Sequence, residues 1–295
     1  MPLPRPHPGS PPPQPPYPLD SSPGPYIPST DEHQRSWRPS NHAKLERKHI
    51  DSSSGPYTFL SYFDTVFLID DSAAMAEHWD AVGKLLDQIC TICAEHDRNG
   101  IDIYFVNHRP RGYYLYATIG QKRQRGGYFN IGKTTDDASS DNRDNVAGIF
   151  RAVKPHGHCR LDHRLGAILG PYMKEYTRRV KDGVPQAENL RPLNLIVITA
   201  GVTDDNPYDT LIETARSLDS CHAPPYQVGV QFFRVGDNDD GRRAMEFADN
   251  GMAQTLNLRD MVDTVTWTSD PGDLAPDAVL KVVLGAVERS IDKPV

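Results

Sequence analysis

From residue 58 onward, short apolar runs alternate with stretches whose apolar residues recur at helical spacing. Residues 65–69 (TVFLI) form a compact run of β-formers, the pattern of a strand covered on both faces. Residues 75–96 follow with Trp79, Val82, Leu86, Ile89 and Cys93 on one helical stripe, stopped by Asn99-Gly100. The alternation continues with strands over 101–106, 193–199, 227–235 and 262–267. Helices are expected over 142–153, 161–181, 209–219, 240–249 and 277–290. Leu161, Leu165, Ile168, Leu169 and Tyr172 give the 161–181 helix its apolar side, and Asp182-Gly183 ends it. Residues 109–140 are irregular, with strand-like pieces at 113–119 and 128–131. Strands alternating with amphipathic helices imply βαβ units and an α/β fold around a mostly parallel central sheet. Ligands of such sheets gather beyond the carboxyl ends of the strands. Attention falls on the loops after Ile69, Val153 and Thr199.

Residues 1–57 follow another rule. Thirteen of the 26 prolines lie in the first 28 residues, among Ser, Gly and charged residues. Such a segment cannot bury enough apolar surface to offset its ordering entropy, so a disordered Pro-rich tail is expected before a domain over 58–295. Residues 5–11 (RPHPGSP) fit a basic-x-x-Pro-x-x-Pro ligand of SH3-type domains. A plain solvated tail also accounts for them. The amino end lacks the apolar core of a secretory signal, and no run is long enough to span a bilayer. Cys90, Cys93, Cys159 and Cys221 then read as reduced thiols, and the expected location is intracellular, cytoplasmic or nuclear. A net charge of −7 argues against a general nucleic-acid binder.

The loop after the first strand reads Asp70-Asp71-Ser72-Ala73-Ala74. Behind VFLI it resembles the Asp-x-Ser-x-Ser opening of von Willebrand factor type A (vWA) domains. Residues 155–159 (PHGHC), with Arg164-Leu165 and Ile168-Leu169, look like that family's Pro-x-Gly-Gly-Thr loop and helix. Residues 195–201 (LIVITAG) look like its fourth strand, which usually ends in Thr-Asp-Gly. The tracts 223–236 (APPYQVGVQFFRVG) and 259–265 (RDMVDTV) are similar to stand-alone vWA proteins of filamentous fungi. The resemblance covers about residues 60–291. It implies a doubly wound, Rossmann-like vWA sandwich and adhesion-type protein binding.

The family's metal-ion-dependent adhesion site uses an Asp, two Ser, a Thr and a second Asp. Those residue types suit Mg²⁺, a small hard ion that demands oxygen ligands in near-octahedral array. The resemblance puts Asp70 and Ser72 at the first two positions. Ala74, Cys159 and Ala200 hold the other three, where two alanines supply no oxygen and a thiol is a soft ligand. Asp204 stands near enough in sequence to contribute, as do Asp71 and Asp205. The site therefore reads as degenerate, and no cofactor is expected. Asp70, Asp71 and Ser72 equally fit a helix cap without a metal. His158 and Cys159 with Asp70 invite a Zn²⁺ reading, which adjacent ligands serve poorly.

Three further features have ordinary explanations. Cys90 and Cys93 form a CxxC inside a helix, where core packing explains them. Residues 109–133 carry Arg109, Arg111, Lys122, Arg123, Arg125 and Lys133 with interleaved aromatics and no acid. This suits either single-stranded nucleic acid or another polyanion, or a charged sheet edge that deters strand addition. Residues 237–240 (DNDD) lack the spacing of a calcium loop. No phosphate loop, nucleophile elbow or HExxH is present. The expectation is a non-enzymatic protein-interaction module that works without a metal. Its contacts would come from Asp71, His158, Arg109, Arg111, Lys122, Arg123 and Arg125. Residual Mg²⁺-dependent binding through Asp70, Ser72 and Asp204, and anion binding through 109–133, are the alternatives.

Overall fold

The apolar runs become the strands of one six-stranded sheet. The computed structural model describes residues 56–96, 100–110, 126–131, 146–182, 190–267, 282, 283, 285 and 286. The strands are β1 (Asp64–Ile69), β2 (Ile101–Phe105), β3 (Gly127–Ile131), β4 (Leu193–Thr199), β5 (Val228–Val235) and β6 (Val262–Trp267). Their order is β3-β2-β1-β4-β5-β6. β1, β2, β4, β5 and β6 run parallel, while β3 returns antiparallel to β2 with a register shift between Ile101 and Ile103.

Side chains alternate across each strand, so both faces of a central strand need cover. Phe67 and Ile69 of β1 join one buried cluster, and Val66 and Leu68 join the other. The first cluster includes Val82, Leu86 and Ile89 of α1 (Trp79–His96) and Ile149 and Phe150 of α2 (Val146–Ala152). The second includes Leu165, Ile168 and Tyr172 of α3 (Leu161–Lys181) and Leu211 and Leu218 of α4 (Tyr208–Ser220). Each such side chain contributes roughly 1.5–3 kcal/mol by leaving water. No described helix is long and apolar enough to cross a membrane.

Three expectations change. The helix expected from residue 75 begins as a 3-10 turn over Ala73–His78, because the Ala73 amide is drawn to the Gly157 carbonyl (3.1 Å). The helix expected over 240–249 is α5 (Asp239–Glu246), and it continues through a π turn (Phe247–Gly251) into α6 (Met252–Leu256). Asn250-Gly251 looks like a stop, yet Gly251 is helical at φ −67° and the left-handed residue that ends the run is Asn257. Of the expected C-terminal helix, residues 282, 283, 285 and 286 are helical. The Pro-rich tail, the 113–119 strand and most of the 109–140 insertion lie outside the described residues.

Candidate functional site

The carboxyl ends of β1, β2 and β4 meet, and four loops close over them. Asp70 follows β1 and is fully buried. Its Oδ1 accepts from the Ser72 amide (2.8 Å) and its Oδ2 from the Thr199 hydroxyl (2.9 Å). The Thr199 hydroxyl in turn accepts from the Gly201 amide at 3.0 Å, so one side chain ties the β1 loop to the β4 loop. The Cys159 thiol also donates to Asp70. Burial first, and the Asp70 carboxylate second, push the Cys159 thiol far up, which keeps it protonated.

Asp71 is also fully buried. Its Oδ1 accepts from the Asn107 amide (2.6 Å) and its Oδ2 from the His108 amide (2.8 Å). Burial raises its carboxyl above the ordinary range, against the lowering by these amides. Asn107 Nδ2 donates to the carbonyls of His156 (2.8 Å) and His158 (3.0 Å). Asp71 therefore braces the β2 loop, and it is buried where a surface position was expected. The cap reading is corrected at Ser72, while Asp70 does accept an amide of this turn. Ser72 stands at the cap position without a side-chain cap bond, and its buried Oγ has no hydrogen-bond partner among the described residues.

Asp204 faces outward, with its side chain 47% exposed. Its Oδ1 pairs with His158 Nδ1 (3.0 Å) and its Oδ2 accepts from the Cys159 amide (2.7 Å). The His158 bond, then that amide, lowers its pKa. Asp205 Oδ2 accepts from the His163 amide at 3.0 Å. Ala74 is exposed, while Cys159 and Ala200 are buried. The site thus brings Asp70, Ser72, Cys159 and Ala200 into one loop cluster, with His158 and Asp204 as an outer clasp.

This donor set does not suit a hard divalent ion. Both Asp70 oxygens already hold donors, the thiol is protonated and the alanines offer nothing. Among the described residues, no group of three or more His, Cys, Asp or Glu is placed to hold a metal ion.

Sequence reading missed Thr199, Asn107 and Arg164. Arg164 is buried on α3, with Nε on the Phe105 carbonyl (2.9 Å), a second nitrogen on the Gly126 carbonyl, and its guanidinium over the Tyr104 ring. The signal was an arginine one turn from Leu161 and Ile168 on an apolar stripe. Arg109 donates to the carbonyls of Phe105, Val106 and His108, so its visible role is to fold its own loop. Burial, Arg109 and His156 lower the pKa of His108, which stacks on Tyr128. Arg111, Lys122, Arg123 and Arg125 lie outside the described residues.

No family model and no curated protein matches the chain. Among solved structures, it is similar to the pilus adhesin SpaC of Lactobacillus rhamnosus GG in its open conformation. The identity is 13% and the TM-score 0.39, over 78% of this chain and 30% of that one. It is also similar to proximal thread matrix protein 1 from the mussel byssus, at 12% identity and TM-score 0.33, over 78% of this chain and 47% of that one. The chain thus spans less than half the length of either protein.

Proposed function

We propose that this chain is a vWA-type protein-interaction module, doubly wound around its parallel sheet, that binds its partner without a metal ion and without catalysis. The saturation of Asp70 carries this reading. A Ser72 amide, a Thr199 hydroxyl and a Cys159 thiol supply the hydrogen bonds that an ion's water shell would otherwise compete for. The loop top is then braced by protein groups, and a partner meets the surface around it. Calorimetric titration with Mg²⁺ and Mn²⁺ tests the metal-free claim. The expected result is no binding heat; binding that disappears in Asp70→Ala overturns it. As a converse check, Ala74→Ser, Cys159→Thr and Ala200→Asp together should create affinity for the ion.

One observation favours the ion-dependent alternative. Ser72 is 2% exposed and its hydroxyl has no partner among the described residues, beside two adjacent buried carboxylates. A buried hydroxyl without a partner costs free energy, and a cation would relieve both it and the paired charges. The same titration separates the readings.

A further inference from the structure

The loop after β4 and the helix after β5 run side by side. Gly201, at φ +82°, lies so close to Gly241 that a side chain at 201 would collide with the Gly241 backbone, and one at 241 with the Ala200 carbonyl. Tyr208 Oη donates to the Ala244 carbonyl (2.9 Å), and the Tyr208 ring meets the Phe247 ring edge-on at 5.0 Å. These contacts put Tyr208 and Phe247 together beside Ala244, and set Val202, next to Gly201, near the start of the helix whose far end carries Phe247. Val202 is 42% exposed and Phe247 is 40% exposed, so two of the three large hydrophobic side chains that are exposed among the described residues stand here. Phe247 opens the π turn, a distortion frequent at functional sites. Its ring is held between Tyr208 and the Gly251 backbone, where a side chain at 251 would not fit.

The charge around this strip is one-sided. Residues 201–210 and 237–250 hold eight Asp or Glu against two basic residues, and Arg234, the cation of β5 that lies among Asp237, Asp239 and Glu246, is buried. Both basic residues are engaged locally, Arg242 with Asp239 and Glu246, and Arg243 with Asp240. An apolar strip with an acidic border complements one kind of surface. We propose that this margin is a docking surface for a basic amphipathic segment of a partner protein, with its apolar side chains seated against Phe247 and toward Val202 and flanking Lys or Arg over the acidic border. A rigid exposed aromatic is the residue type that anchors interfaces, and the border adds steering and selectivity. This inference rests on the interaction-module reading and names its partner class.

The test is fluorescence anisotropy of labelled peptides with the full chain. One peptide carries Leu and Phe at i, i+4 and i+7 among Lys and Arg. A second replaces the apolar residues by Ser, and a third replaces Lys and Arg by Glu. The first should bind at least about tenfold tighter than the others, and weaken as salt rises. Phe247→Ser and Val202→Asp should each cost about tenfold, as should Asp209→Lys combined with Asp240→Lys. Melting curves matched to the parent show that the variants fold. Equal binding of the three peptides, no binding, or indifference to every variant overturns the surface. Titrations in chelator and in Mg²⁺ keep the two readings apart. Binding that needs the ion yet is lost in Phe247→Ser retains the surface and overturns the metal-free module.

Discussion

Thr199 sits where two needs meet: Asp70 Oδ2 requires a donor, and the Gly201 amide requires an acceptor. Thr199→Val keeps the shape and strands both groups in a buried site. The expected loss is about 1–3 kcal/mol for each group left unpaired. In a domain of this size the melting temperature falls by roughly 2–4 °C per kcal/mol. Thr199→Ser should recover most of it, and an unchanged melting temperature in the valine variant would remove this hydroxyl from the account. Cys159 makes a second residue-scale prediction. Its thiol is buried and its pKa is pushed far up by burial and by Asp70, so it is neither accessible nor a thiolate. Under native conditions a maleimide should label the partly exposed Cys221 first. Cys90, Cys93 and Cys159 should react only as the chain unfolds. Mass spectrometry showing Cys159 labelled alongside Cys221 would contradict the burial.

At the scale of elements, α3 carries a charge cluster near its carboxyl end. Glu175 receives Arg178 through two hydrogen bonds (2.8 and 2.9 Å) and Arg179 through one (2.8 Å). Chiefly the Arg178 hydrogen bond lowers its pKa from 4.5 to about 2. A folded pKa below the unfolded one gives stability that is complete above pH 4.5 and fades toward about pH 2. Glu175→Gln should therefore melt lower than the parent at neutral pH, with the gap closing across that window. A gap independent of pH would mean that packing, not charge, sets the difference. The pattern of elements was legible because short continuous apolar runs differ so plainly from stretches with a 3.6-residue period in this chain. The expected spans 161–181, 193–199 and 262–267 match α3, β4 and β6 residue for residue. The run through α5 and α6 was not legible. Its Asn-Gly pair has the composition of a stop, and only the Phe247 ring against Gly251 shows why a glycine stands within a helical run.

For the molecule as a whole, the sequence marks which loops converge but not which polar groups are buried beneath them. A two-residue period assigns a polar residue on a strand to solvent, and it has no means of seeing a helix laid over that strand. Asn194 and Gln231 are such residues, fully buried inside β4 and β5. They meet the carboxyl-terminal helical segment through its backbone. Asn194 Nδ2 donates to the Val283 carbonyl (2.8 Å), and Gln231 Oε1 accepts from the Ala286 amide (2.9 Å). Val282 and Val283 meanwhile complete the cluster shared with Ile196, Ile198 and Phe233. Residues 282, 283, 285 and 286 thus cover one face of the sheet, located by two amides as well as by apolar burial. Gly285 leaves room for the arrangement, since a side chain there would press on Gln231 Oε1 and Asp263 Oδ2. Gly285→Ala forces the segment outward and breaks the Gln231 bond. Overpacking of this kind costs typically about 1–3 kcal/mol. The variant should melt lower and bind a hydrophobic dye below its unfolding transition, as the face over β4 and β5 opens. If Gly285→Ala melts like the parent and stays silent to the dye, the segment is not held by this contact. The two buried amides would then need another explanation.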